Sequence, residues 1–176
     1  DIAKSFGARV VAAVSTKEKA KVCAGYGVDD IVVYGEKKLD KDGQRALTKE
    51  LKSKSVRGGY SIIYDPVGDC FAEPALRSVG WGGTYLVVGF AAGKIPYFPT
   101  NLMLLKGCAV SGVFIGRFQK EEPEKNAQNL LEIGRLLAKG KLNPMVSETI
   151  RMEDSVAAIE RIAKRGVVGK VVFVND

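Results

Sequence analysis

The sequence has no histidine, and its three cysteines, Cys23, Cys70 and Cys108, stand far apart with no Cys-x-x-Cys pair. Metal centres are built from closely spaced Cys and His ligands, so no metal site is expected within these residues. An odd number of scattered, apolar-flanked cysteines reads as reduced thiols, which points to a cytoplasmic compartment, with an organelle left open. No apolar run approaches the ~18 residues that a membrane helix needs, so no membrane span is expected. No Gly-x-Gly-x-x-Gly turn lies between a strand and a helix, no segment repeats at a fixed period, and there is no low-complexity tract. Nor is there a signal-peptide pattern: Asp1-Ile2-Ala3-Lys4 opens inside a helical pattern, which suggests a piece of a longer chain.

What is present suits one soluble domain, or one domain and part of a second: 176 residues, 46% hydrophobic and 27% charged. The formal charge is +7. A basic balance suits nucleic acid or an anionic small molecule. The lysines are dispersed, and the runs at 17–21 and 36–42 are interrupted by acids. Faces of mixed sign read first as solvated, then as a surface for a phosphate-bearing ligand, and last as a nucleic-acid surface.

Short apolar runs alternate with helical patterns. Strands are predicted at 9–14, 31–34, 60–65, 84–89 and 108–115, with helices at 1–6, 17–25, 41–54, 71–80 and 101–107. The strands are apolar throughout rather than alternating, as expected when helices cover both faces of a parallel sheet. After residue 116 the texture changes. A polar stretch at 118–126 reads as a linker or helix entry. Helices follow at 124–139 and 153–165, with the extended segment 141–150 between them and a last strand at 170–174. Two parts are therefore expected: 1–116, most of an open α/β sheet, and 117–176, a helix–strand return.

In open α/β sheets ligands bind beyond the carboxyl ends of the strands. That rule selects the loops Ser15–Lys19, Tyr34–Gly35, Asp65–Gly68, Gly89–Gly93 and Val113–Gly116, each rich in Gly or small polar residues just past an apolar run. Each also has a plainer reading. Gly after a strand is first a turn residue, Ser15 and Thr16 suit a helix cap, Asp65 before Pro66 suits a turn, and Tyr34 suits packing. A cap and an anion site are compatible, because a helix N-terminus favours both.

The stretches "AKSFGARVVAAVSTKEKAKVCAGYGVDDIVVY", "YDPVGDCF", "GGTYLVVGFAAGKIP", "NLMLLKGCAVSGVFIG" and "GKLNPMVSETI", with the closing "GKVVFV", resemble the zinc-free, zeta-crystallin-like quinone oxidoreductases of the medium-chain dehydrogenase/reductase superfamily. The resemblance runs along essentially the whole chain. It implies a Rossmann-type doubly wound sheet that lacks its first strand and Gly-rich loop here, and it assigns 117–176 to the substrate domain. It implies NADPH as cofactor and hydride transfer to a quinone or an activated C=C bond. Carried over residue by residue, Ser15, Lys19 and Tyr34 would hold the 2′-phosphate, and Val67 and Gly68 the middle of the cofactor. Gly89, Phe90 and Ala91, with the backbone of Val113, Phe114 and Ile115, would face the nicotinamide. It also implies a homodimer through strand 108–115. No catalytic acid or base is named, and the segment alone is expected to be inactive. The alternatives are an alkenal or enoyl reductase on the same scaffold, or a non-catalytic module binding NADPH or RNA.

Overall fold

The computed structural model describes residues 1–163 and 167–175. The chain divides into two compact units, Arg9–Ala127 and Asp1–Ala8 with Gln128–Asp176.

The larger unit carries five strands: β1 (Val11–Val14), β2 (Asp30–Val33), β3 (Tyr60–Asp65), β4 (Val79–Val87) and β5 (Ala109–Gly112). All pair in parallel, in two ladders of order β1-β2 and β3-β4-β5. In the dinucleotide-binding strand order 3-2-1-4-5-6, the first strand lies between the second and the fourth. With β1–β5 as the second to sixth strands, the break between the two ladders falls where that first strand belongs.

Helices cross between the strands: α2 (Lys17–Gly25), α3 (Lys41–Lys54), α4 (Ala72–Ser78) and α5 (Thr100–Lys106), preceded by the short α1 (Ile2–Ser5). Their ends follow local chemistry. Asp40 caps α3 by accepting from Gly43 N at 2.8 Å. Gly107 closes α5 in the left-handed conformation at φ 54°, which glycine adopts without steric cost. Leu47 and Leu51, one turn apart on α3, pack with the fully buried Val32 of β2. Leu76 of α4 and Leu102 of α5 pack with Val79 and Tyr85 of β4. Burying each large apolar side chain contributes roughly 1.5–3 kcal/mol, and Ala75 touches both clusters.

Two boundaries differ from expectation. β4 begins at Val79, although the Gly80-Trp81-Gly82-Gly83 stretch reads as a helix end and turn. Its register slips between Tyr60/Val79 and Ile62/Thr84, so glycines are spent on a bulge inside the strand. The backbones meet closely there: a Cβ on Gly59, at φ 152°, would lie 2.4 Å from Gly80 N. The last strand of this sheet stops at Gly112, and Ile115–Glu121 forms a helix, α6. The apolar run 113–115 thus carries the chain off the sheet instead of prolonging it.

Helix α7 (Pro123–Ala138) follows. The smaller unit holds a parallel pair, β6 (Val146–Arg151) and β7 (Lys170–Val174), with α8 (Ser155–Ala163) between them. The pair β6–β7 turns the expected extended segment into a ladder. Of the helix expected over 153–165, residues 164 and 165 lie outside the described residues.

Candidate functional site

Because the strands of the larger unit are parallel within each ladder, the loops that follow them gather at their carboxyl ends. Beyond β1 and β2 lies an open cleft of about 600 Å³. Its walls include Ser15, Thr16, Lys17 and Glu18 from the β1–α2 turn, and Tyr34 and Lys37 from the loop after β2. Thr16 caps α2, its Oγ1 accepting from Lys19 N at 3.2 Å. That leaves Ser15 outside the cap, and Lys19 Nζ donates to Ser15 Oγ at 3.2 Å. The structure therefore brings Ser15, Lys19 and Tyr34 together: two line the cleft, and the third reaches it through Ser15. Lys17 and Glu18, inside the selected loop Ser15–Lys19 but not singled out there, also line it, as do Glu36 and Lys37, which sequence reasoning missed. The signal available was their position within four residues of a strand end.

The loops beyond β3, β4 and β5 are built differently. Asp65, the last residue of β3, folds its carboxylate back on its own turn. Oδ1 accepts from Val67 N at 2.7 Å and from Gly68 N at 3.1 Å, and Oδ2 accepts from the Tyr85 hydroxyl. Tyr85 is 1% exposed, and burial, then the bond to Asp65, push its phenol well above the ordinary range. The turn is also zipped to the loop after β4: Val88 N donates to Asp65 O at 3.0 Å, Ala91 N to Pro66 O at 3.0 Å, Ala92 N to Val67 O at 2.9 Å and Asp69 N to Lys94 O at 3.1 Å. Val67, Gly68, Gly89, Phe90 and Ala91 thus belong to one rigid shelf. The amides of Val67 and Gly68 are committed to Asp65, so these residues offer a ligand surface and carbonyls rather than an anion cradle. Gly68 sits at φ 70°, and a Cβ there would lie 3.1 Å from Phe90 Cδ1 and 3.4 Å from Lys94 O. Val113 N donates to Val87 O at 2.9 Å, which places the 113–115 segment beside the end of β4; Val113, Phe114 and Ile115 are all exposed.

Side chains link the two sets of loops. The rings of Tyr34 and Phe71 meet at 4.6 Å between centroids. Leu39 N donates to Cys70 Sγ at 3.2 Å, and Lys38 Nζ lies 3.0 Å from Asp69 Oδ2. The Lys38 ammonium is the main cause holding the Asp69 carboxyl below its usual range. Asp69 carries a positive φ of 53°, uncommon for a residue with a side chain. A single strained position thus ties the loops after β2, β3 and β4 together.

Residues 1–132 match the sequence profile of a family described as zinc-binding dehydrogenase. The chain is 32% identical over 168 residues to quinone oxidoreductase-like protein 2 of Bos taurus, covering 94% of this chain and 45% of that protein. It is 26% identical over 173 residues to acryloyl-coenzyme A reductase of Metallosphaera sedula, covering 98% and 45%. Among solved structures, mycobacterial Rv1454c complexed with NADPH superposes with a TM-score of 0.83 at 22% identity, covering 98% of this chain and 50% of that one. A quinone oxidoreductase of Pseudomonas syringae pv. tomato gives 0.80 at 21%, covering 98% and 51%. The chain spans about half the length of the relatives it matches. The family's description implies zinc, but the residues here do not fit it. The chain has no histidine, and among the described residues no three His, Cys, Asp or Glu side chains gather as metal donors. Among the described residues no helix is long and apolar enough to cross a membrane. The sequence match over residues 1–132 makes this chain a member of the zinc-binding dehydrogenase family.

Proposed function

We propose that this chain forms the larger part of the cofactor site of an NADPH-dependent oxidoreductase that passes a hydride to a quinone. The observation that carries the reading is the contact between Lys19 Nζ and Ser15 Oγ at the cleft that Tyr34 also lines. A cation, two hydroxyls and the capped start of a helix suit a ribose phosphate. An acid, which would repel that phosphate, is missing from the Ser15 position. Support also comes from the NADPH complex of the structurally similar Rv1454c, and from the quinone oxidoreductase-like relative in Bos taurus.

In this reading Ser15, Lys19 and Tyr34 hold the 2′-phosphate. Val67 and Gly68 pack against the middle of the cofactor. Gly89, Phe90 and Ala91, with Val113, Phe114 and Ile115, flank the nicotinamide. When bound, NADPH supplies the hydride. The chain's own contribution is placement: the Asp65-braced shelf fixes one wall, and exposed Phe90 and Phe114 exclude water from the ring's surroundings. No zinc takes part. Two copies associate through the free edge of β5 and the exposed residues that follow it.

A second reading, reduction of an enoyl thioester, is favoured by the acryloyl-coenzyme A reductase among the relatives. Both are tested together by following nicotinamide oxidation in the natural, full-length protein with NADPH or NADH against a series of quinones and an enoyl thioester. Turnover of quinones with NADPH preferred over NADH is the expected result. Thioester turnover alone would replace the first reading by the second, and equal use of both nicotinamides would remove the role given to Ser15, Lys19 and Tyr34.

A further inference from the structure

The cleft that would take the ribose phosphate is not simply basic. Its wall carries two acids, Glu18 and Glu36, as well as two cations, Lys17 and Lys37. Glu18 is the more telling of these. It is the second residue of α2, directly after Lys17, on the helix that Thr16 caps. The Glu18 backbone N–H, then the Thr16 hydroxyl, hold its carboxyl below the usual carboxylate range. A helix N-terminus stabilises whichever anion sits there, and in this structure the wall of the cleft brings its own.

We infer that Glu18 is a specificity-determining residue of the cleft, an internal anion occupying the helix start and opposing any phosphate that enters. The inference rests on the 2′-phosphate reading above and adds a residue that works against it. Lys19, held by Ser15, attracts the phosphate, and Glu18, one residue earlier, repels it. The discrimination between phosphorylated and unphosphorylated ribose is set by the difference between them. The carboxylate also competes for the helix-start donors that a phosphate would use. Glu18 sits on the first turn of a helix whose register Thr16 fixes, so its charge cannot be carried away from the cleft without losing those contacts.

Glu18→Gln removes the charge and keeps an oxygen that can accept from Thr16. Glu18 is exposed, so the variant is expected to fold like the parent. The probes are adenosine 2′,5′-bisphosphate and adenosine 5′-monophosphate, titrated calorimetrically into the natural, full-length protein at low salt. Glu18→Gln should bind the bisphosphate about three- to tenfold more tightly, the range for one nearby charge in a wet site, and the monophosphate about equally. Glu50→Gln, the same change of net charge on the exposed face of α3, should leave both affinities unchanged. Three results overturn the inference: no gain for the bisphosphate, an equal gain for both probes, or the same gain in Glu50→Gln. A parent that prefers the bisphosphate beside an unresponsive Glu18→Gln removes the role of Glu18 and leaves the 2′-phosphate reading standing. A parent that binds both probes alike removes that reading and this inference with it.

Discussion

The loops beyond β1 and β2 and those beyond β3 and β4 lie at strand ends of the same kind, yet they are held in opposite ways. Around Ser15 and Tyr34 the backbone is capped early, and charged side chains project into an open cleft. Around Val67 and Gly89 the backbone bonds to itself, and the one carboxylate in the turn, Asp65, is consumed by two amides and a buried phenol. The first region can read charge. The second offers a shape and carbonyls. The contrast teaches that strand-end position alone does not make an anion site: what matters is whether the local amides still have something to donate.

If that contrast is right, damage to the shelf should cost stability without changing discrimination, and damage to the cleft should do the reverse. The largest effect is expected from Gly68→Ala. A side chain at φ 70° is strained, and its Cβ meets Phe90, so urea unfolding should show a loss of about 3 kcal/mol. Tyr85→Phe keeps the ring packing but leaves Asp65 short of one donor. A loss of about 2 kcal/mol is expected, with the ratio of affinities for adenosine bisphosphate and monophosphate unchanged. A changed ratio in Tyr85→Phe would break the comparison. Lys19→Ala is the converse: the NADPH-over-NADH preference should shrink about tenfold, while the melting temperature moves by no more than about 1 °C.

The smallest effect is electrostatic and far from either site. Arg9 lies 3.1 Å and Lys54 2.8 Å from the Asp30 carboxylate. The hydrogen bond from Lys54 is the first cause holding its carboxyl below the usual range. A group depressed in the folded state contributes its stability above its unfolded value, near ~4, and loses it as pH falls through the lower folded value. Stability should therefore decline below about pH 4, and Asp30→Asn should flatten that part of the profile slightly, read by thermal melts across pH.

Much of this was legible in the chain. Strands read from short, mainly apolar runs, such as 60–65 and 170–174, coincide with the observed ones, but burial on both faces does not follow: Ile62, Tyr64, Val172 and Val174 are exposed. The strand-end rule then named the loops without any motif. What the sequence hid was backbone behaviour at glycine. Gly80, Gly82 and Gly83 look like a turn and form a bulged strand: a Cβ on Gly80 would meet the Gly59 backbone, one on Gly83 would meet Tyr60 O and Val79, and Gly82 takes a positive φ of 69°. Asp65 reads as an ordinary turn residue before Pro66, and its importance depends on Tyr85, 20 residues away. Glu18 reads as one more solvated acid until the loop after β2 closes the other side of the cleft.

The junction between the two ladders has a mechanical consequence. No backbone hydrogen-bond ladder crosses from β1 to β3 among the described residues. What crosses includes a tilted aromatic pair, an ion pair and a sulfur-accepted hydrogen bond at one end, the Tyr60 hydroxyl donating to Leu51 O at 2.8 Å, and packing of α3 on α4 near Ala75. Side-chain joints yield before hydrogen-bonded ones. In these 176 residues taken by themselves, the amides of β1 and β2 should therefore exchange with deuterium before those of β3, β4 and β5.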